Sequence, residues 1–165
     1  EYIVGVQVNF NFFYDPLNER LELLGTDTRR QTNIEGYNKV PYFEYNKVRE
    51  HYGVQHEEAG HIAVTVLESM LEKAFSIGER FVKSAQELSE DGVIGPFGLQ
   101  SMIVPSLKGK EIIVFDVSPR MPGSPGIFAT PYGYYLHGTG ISAGLRIAME
   151  IKEAVDSNRL DKILT

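Results

Sequence analysis

The sequence predicts an α+β fold with a largely antiparallel sheet and flanking helices. Three patterns indicate this class: alternating apolar residues near the start, a long stretch of helical periodicity in the middle, and two later apolar runs joined by a short polar turn. With 165 residues, of which 42% are hydrophobic and 23% charged, the chain has enough apolar material for one core. We therefore expect a single domain.

Charge and residue usage argue against several classes of protein. The formal net charge is −6 and the Lys and Arg residues form no cluster, so we expect no nucleic-acid partner. The chain has no cysteine, which excludes disulfides and a thiolate nucleophile. Apolar runs stay shorter than the ~18 residues that span a bilayer, and no charged-then-apolar leader opens the chain. We expect a cytoplasmic protein without a membrane partner.

The first predicted element is a strand that begins at Val4. Its apolar residues alternate with polar ones and so share one face: Val4, Val6, Val8, Phe10 and Phe12. A turn at 15–18 and a returning strand at 20–25 complete a hairpin. Because the chain starts inside a strand and without Met, we expect it to be part of a longer protein. A native start that has lost its methionine is the alternative.

Polar segments separate the predicted helices in the rest of the chain. Residues 26–36 form a polar, tight segment, and helical periodicity then runs from 63 to about 90. Residues 119–135 are rich in Gly, Pro and Tyr, which favours a loop. A second helix is predicted to start after Ser142, which would be its N-cap, and a last turn is predicted at 160–164.

The late hairpin carries the residues that we consider functional. Its strands are predicted at 95–104 and 111–118, joined by a short turn. If the turn is centred on Lys108, Gln100 and Asp116 are equally far from it and lie opposite each other. Opposed residues point to the same face, with β-carbons about 5 Å apart.

Strict alternation in the second strand of this hairpin would place five side chains on one face: Ile112, Val114, Asp116, Ser118 and Arg120. Mg²⁺ prefers oxygen ligands and takes one or two from protein, which Gln100 and Asp116 can supply. The guanidinium of Arg120 would reach a phosphate bound to the metal. The structural alternative is that Asp116 pairs with Arg120 and Gln100 is a satisfied core amide. Spacing alone leaves both interpretations open.

Two segments of this hairpin, 95–100 (GPFGLQ) and 113–120 (IVFDVSPR), resemble the paired metal-binding strands of ATP-grasp ligases. Within that superfamily the chain resembles the archaeal formate-dependent family that makes 5-formaminoimidazole-4-carboxamide ribonucleotide in purine (IMP) biosynthesis. That family also has Gln at the position of Gln100. Further matching segments extend the resemblance over nearly the whole chain: 13–17, 23–27 with Arg29, 32–36, 67–71 and 160–165.

The resemblance implies an ATP-grasp fold, of which residues 1–165 would be the C-terminal portion. The N-terminal and ATP-lid parts of the ligase would be absent from this chain. In such enzymes ATP and formate give formyl phosphate, which the amine of an aminoimidazole carboxamide ribonucleotide then attacks. The implied cofactors are ATP and Mg²⁺, the implied substrates are formate and that ribonucleotide, and we expect a homo-oligomer.

The resemblance also implies which side chains contact metal, nucleotide and substrate. Gln100 and Asp116 would hold the metal, and Arg120 would steady the transferring phosphate. The remaining residues would contact the nucleotide or the amine substrate: Gln31, Asn33 and Ser118 the nucleotide, Arg29 and His61 the substrate.

Departures from the family pattern concentrate near the amine substrate. His61 stands where the family has Asn, Leu67 where it has Arg, and Gln31 where it has an acid. Residues 121–126 replace a Gly-Gly-Thr-Asn loop. Two alternative functions therefore stay open. One is a divergent paralogue that binds Mg-ATP with a different or no amine substrate, and the other is a subunit-assembly module built on the long helix and the Tyr-rich loop.

Overall fold

The computed structural model describes residues 3–55, 57–107, 109–122 and 126–164. The predicted turn centre Lys108 and residues 123–125 of the loop that departs from the family pattern lie outside these ranges. The described strands are β1 Val6–Asp15, β2 Arg20–Gln31, β3 Glu58–Ala63, β4 Gly95–Ser106 and β5 Gly109–Ser118. They form one antiparallel sheet in the order β3-β2-β1-β4-β5.

Helices flank this sheet, and the α+β class is confirmed. They are α1 Thr32–Tyr37, α2 Tyr45–Tyr52, α3 Glu68–Leu88, α4 Gly126–Ala129, α5 Tyr132–His137 and α6 Ala143–Asp156, followed by a 3-10 turn at Leu160–Lys162. No helix in the described part of the chain combines the length and the apolar composition that crossing a membrane requires.

The main core lies between α3 and one face of the sheet. Val8, Phe10 and Phe12 of β1 are buried there against α3 and β4, so the predicted alternation is confirmed for these three residues. The predicted start at Val4 is wrong: β1 begins at Val6, and both Val4 and Val6 are exposed. The ring of Phe12 is fully buried, with its centroid 5.5 Å from that of Phe97 and 5.7 Å from that of Phe75. Aromatic rings at these separations pack favourably.

Within the described residues, helices cover the opposite face of the sheet at one end only. A second cluster, of Phe13, Leu24, Ile127 and Ile141, packs there beneath α4 and α6. Beside it the buried Arg146 of α6 forms ion pairs with carboxylates of the β1–β2 hairpin and of its own helix: Asp15, Glu22 and Glu150. These ion pairs hold α6 on the hairpin. The described helices leave the other end of this face open, and its side chains are polar.

The β4–β5 hairpin places Gln100 opposite Asp116, as predicted, but by a different route. Near the turn Ser106 pairs with Gly109, so the centre of the turn lies half a position before the predicted centre at 108. A continuous ladder with that register would pair Gln100 with Phe115. A β-bulge beside Gln100 adds one residue to β5 and restores the pairing with Asp116.

The same bulge changes which side chains of β5 share a face. Ile112, Val114 and Val117 pack against the main core. Asp116 and Ser118 lie on the opposite, polar face, where both contact the same partner from β4. The prediction that Ile112 and Val114 share a face with these polar residues is wrong, because strict alternation fails across a bulge.

Other predicted boundaries differ where elements are short or polar. The segment 26–36, predicted to be tight and polar, contains the second half of β2 and then α1. β2 is longer than predicted because its polar second half pairs with β3. Neither β3 nor α2 was predicted, and the predicted loop at 119–135 contains α4 and the start of α5. The long helix begins at Glu68 and not at 63, because β3 ends there. The N-cap is confirmed, since Ser142 Oγ accepts the N–H of Leu145 at 3.1 Å.

We expect Phe12→Ala to lower the free energy of unfolding by about 3–5 kcal/mol, because the substitution leaves a cavity among packed rings. Urea unfolding of the protein followed by circular dichroism measures it. The control is Phe43→Ala, whose ring is 77% exposed, with an expected change within about 0.5 kcal/mol. Equal effects of the two substitutions would contradict this account of the core.

Candidate functional site

A polar cavity of about 270 Å³ opens on the uncovered end of the sheet, on the face opposite α3. Every strand of the sheet contributes to it, together with the segment that follows β5. Its lining residues are Asn9, Asn11, Asp27, Arg29, Glu58, His61, Gly98, Gln100, Ser118, Arg120 and Pro122. This concentration of charge in one concave site makes it the candidate functional site.

The floor of the cavity contains the fully buried carboxylate of Asp27. Asn9 Nδ2 donates to its Oδ1 at 2.8 Å, and Asn11 Nδ2 donates to its Oδ2 at 2.7 Å. His61 Nδ1 lies 2.5 Å from Oδ1. A buried charge is tolerated only when donors surround it, and here neighbouring strands on both sides supply them.

The imidazole of His61 lies between two carboxylates. Its Nδ1 faces Asp27, and its Nε2 lies 2.7 Å from Oε1 of Glu58. Burial by itself would lower the pKa of His61, but the hydrogen bonds and charges of Asp27 and Glu58 outweigh burial and raise it. The protonated ring can donate to both carboxylates at once, which the neutral ring cannot.

Arg29 connects this histidine with the predicted metal strands. It pairs with His61 across β2 and β3, so both side chains face the cavity. Arg29 Nε lies 3.2 Å from Oε2 of Glu58, and Arg29 Nη2 donates to Oε1 of Gln100 at 3.1 Å. The guanidinium therefore contacts both the acidic end and the β4 side of the cavity.

Gln100 and Asp116 are in direct contact, as their predicted pairing requires. Gln100 Nε2 donates to Asp116 Oδ2 at 2.6 Å and lies 3.4 Å from Ser118 Oγ. The amide oxygen of Gln100 accepts from Arg29 and so points away from Asp116. Turning the amide about its last bond would bring two oxygens together.

Such a pair of oxygens fits Mg²⁺ that takes its other ligands from water and phosphate. Among the described residues, no group of three or more His, Cys, Asp or Glu side chains is arranged to hold a metal ion. A metal here would therefore depend on Gln100, Asp116 and the oxygens of a bound ligand.

Most of the predicted site residues come together in this cavity. Five line it, namely Arg29, His61, Gln100, Ser118 and Arg120, and Asp116 joins them through Gln100.

Gln31 and Asn33 lie elsewhere. The backbone N–H of Gln31 donates to Glu35 at 2.7 Å beside a separate surface depression. The side chain of Asn33 donates to the carbonyl of Gly53 at 3.0 Å and accepts the N–H of Gln55 at 2.8 Å. Both residues therefore serve local contacts at α1.

Sequence reasoning missed four polar residues of the cavity: Asn9, Asn11, Asp27 and Glu58. The signal for Asn9 and Asn11 was present, since both fall on the polar face of an otherwise apolar strand. Asp27 fell within a segment interpreted as tight and polar, and Glu58 begins a strand that was not predicted. Only the strand pairing brings these residues to one place.

The whole chain, residues 1–165, matches the family model described as Domain of unknown function (DUF1297). The chain belongs to this family. It is 36% identical over 167 residues to a protein of Methanocaldococcus jannaschii, and 34% identical over 166 residues to one of Ignicoccus hospitalis. Both relatives are named 5-formaminoimidazole-4-carboxamide-1-(beta)-D-ribofuranosyl 5'-monophosphate synthetase. The matches cover 100% and 99% of this DUF1297 chain but 45% and 46% of the relatives, so the chain spans less than half their length.

A solved structure agrees with these relatives. The DUF1297 chain superimposes on the crystal structure of an IMP biosynthesis protein PurP from Thermococcus kodakaraensis with a TM-score of 0.78 and 29% sequence identity. The match covers 100% of this chain and 51% of that one. The predicted resemblance to this family of synthetases is confirmed, and so is the mixed architecture with an antiparallel sheet.

The raised pKa of His61 predicts a pH-dependent stability. A histidine whose folded pKa exceeds its unfolded value, near 6.5, stabilises the fold below that value and loses this contribution as the pH rises through the folded pKa. Relative to the unsubstituted protein, His61→Gln should therefore destabilise more at acidic than at alkaline pH. Urea unfolding of both proteins at an acidic and at an alkaline pH measures the difference. His51→Gln is the control, since His51 is exposed, and a pH-independent effect of His61→Gln would contradict the prediction.

Proposed function

We propose that this chain is part of an ATP- and formate-dependent ligase of purine (IMP) biosynthesis that formylates 5-aminoimidazole-4-carboxamide ribonucleotide. The observation that carries the proposal is the similarity of the whole chain, at 36% and 34% identity, to synthetases of the corresponding product. Residues 1–165 would be the C-terminal ATP-grasp portion, and the N-terminal and ATP-lid parts would lie outside this chain. We also propose that the protein is cytoplasmic and forms a homo-oligomer.

The reaction would proceed in two transfers. An oxygen of formate attacks the γ-phosphorus of ATP, and ADP leaves, which gives formyl phosphate. The amine nitrogen of the ribonucleotide then attacks the formyl carbon, inorganic phosphate leaves with the C–O electron pair, and the nitrogen loses a proton. Each step moves negative charge at phosphate oxygens, so fixed cations beside those oxygens lower its barrier.

The β4–β5 end of the cavity suits the phosphate groups. Bound Mg²⁺ would neutralise charge on the phosphate groups. Asp116 and the turned amide of Gln100 would hold the ion, and Arg120 would contact the transferring phosphate from the same rim of the cavity. Ser118 lies next to Gln100 and can donate its hydroxyl to a phosphate oxygen.

The β2–β3 end of the cavity suits the remaining substrates. Arg29 and His61 present N–H donors there, and the buried Asp27 fixes the orientation of the imidazole. Gln31 and Asn33 would contact nucleotide only if the bound nucleotide extends beyond the cavity towards α1.

One observation favours a second candidate, a divergent paralogue that binds Mg-ATP but uses another amine. His61 forms an ion pair with each of two carboxylates, which the Asn expected from the family resemblance could not do. The charge at this end of the cavity would then differ from that of the family pattern. Turnover with the aminoimidazole carboxamide ribonucleotide distinguishes the two candidates.

We expect Asp116→Ala and Gln100→Ala each to weaken Mg-ATP binding at least about tenfold, or about 1.4 kcal/mol, because each removes an oxygen ligand. Calorimetry on the full-length gene product measures the affinity. Glu111→Ala is the matched control: this exposed carboxylate on the same strand pairs with Val104 far from the cavity.

ATP hydrolysis that requires both formate and the ribonucleotide would support the ligase proposal. Mg-ATP binding without such turnover would favour the paralogue. If folded Asp116 and Gln100 variants bind Mg-ATP as well as the Glu111 control, the metal assignment fails.

A further inference from the structure

The carboxylate of Glu58 occupies a position in the cavity that a small anionic ligand could take. Its Oε1 lies 2.7 Å from Nε2 of His61, and its Oε2 lies 3.2 Å from Nε of Arg29. Each oxygen thus contacts a different cationic group. This is the arrangement by which proteins bind a free carboxylate, with one donor to each oxygen.

Each of the two cationic side chains has a further polar partner that fixes it, whereas Glu58 has none among the described residues. His61 is fixed by the buried Asp27, and Arg29 is fixed by its hydrogen bond to Gln100. Among the described residues, the carboxylate of Glu58 forms ion pairs with His61 and Arg29 alone, and 45% of the side chain is exposed. Glu58 can therefore swing into solvent while both donors stay in place.

The charge balance of the cavity also favours an anion. Of its described residues, Asp27, Glu58 and the adjoining Asp116 are acidic, while Arg29, Arg120 and protonated His61 are positive, so the charges balance. Withdrawal of Glu58 would leave an excess of one positive charge. An uncompensated excess in a partly enclosed cavity attracts a counter-anion.

Arg29 has an unused donor at this position. Its Nε is buried and makes no hydrogen bond with the described residues, because the contact with Glu58 lacks the required alignment. An unsatisfied buried N–H is destabilising, and a better-placed acceptor would remove that cost. A small ligand, free of the backbone that tethers Glu58, can take the position that aligns both donors.

We propose that the space between His61 Nε2 and Arg29 Nε is a binding site for a small carboxylate, which Glu58 fills when the ligand is absent. The inference deepens the proposed function and rests on it in one respect: the small carboxylate would be formate. Because Arg29 also contacts Gln100, formate bound here would lie beside the proposed phosphate end of the cavity. Glu58 would act as an internal competitor that the substrate displaces.

Proton NMR of the His61 ring tests this site without ATP. Sodium formate would be titrated into the intact protein at acidic pH, with sodium chloride at equal ionic strength as the salt control. We expect formate to shift the His61 signal saturably, and Glu58→Gln to reach half-saturation at least about fivefold lower formate. The His61 signal is assigned with His61→Gln, and His137, which pairs with Glu22 in a half-buried position, serves as the internal control whose signal stays fixed.

Three results would overturn the subsite. They are a His61 signal that formate moves no more than chloride does, a Glu58→Gln variant that binds formate no more tightly than the unsubstituted protein, and equal shifts at His61 and His137. Glu58→Ala provides a second variant, for which tighter formate binding is also expected.

Turnover assays separate this inference from the proposed function. Saturable formate binding at His61 without formate-dependent ATP hydrolysis would keep the subsite and reject the ligase. Formate-dependent hydrolysis whose KM for formate is the same in the unsubstituted protein and in Glu58→Gln would keep the ligase and reject the subsite.

Discussion

The buried carboxylate of Asp27 is the interaction on which the rest of the site depends. It has no exposed surface and belongs to the central part of the sheet, where an unpaired charge would oppose folding. Asn9 and Asn11 on β1 and His61 on β3 surround it with donors, so one carboxylate ties three neighbouring strands together. The requirement to satisfy Asp27 therefore determines the orientation of His61 in the cavity.

From His61 a series of polar contacts crosses the sheet to its other edge. Glu58 bridges the imidazole to Arg29, and Arg29 in turn contacts Gln100, the partner of Asp116. The proposed substrate end and the proposed phosphate end are thus connected by side chains in direct contact. A ligand that displaces Glu58 or turns the amide of Gln100 would change the hydrogen bonding of Arg29. Binding at either end should therefore change the affinity of the other end for its ligand.

The sequence predicted what depends on long, regular periodicity. The core face of β1, the helix that became α3 and the start of α6 follow from their apolar patterns. The bulge in β5 could not be predicted, because no residue type marks it. The pairing of Gln100 with Asp116 was predicted correctly only because two deviations cancel: the turn is displaced by half a position, and the bulge adds one residue to β5. Asp27 was missed because a buried acid and an exposed acid look alike in sequence. The family resemblance suggested six residues that do meet, and it also suggested Gln31 and Asn33, which lie outside the cavity.

The most direct test of this account is the pKa of His61 in Asp27→Asn, measured by NMR titration of the ring protons. Asparagine keeps the size of the side chain and removes its charge. If the buried carboxylate controls the histidine, the pKa of His61 should fall towards its ordinary value while the protein still unfolds cooperatively. An unchanged pKa of His61 in a folded variant would contradict the central role assigned to Asp27.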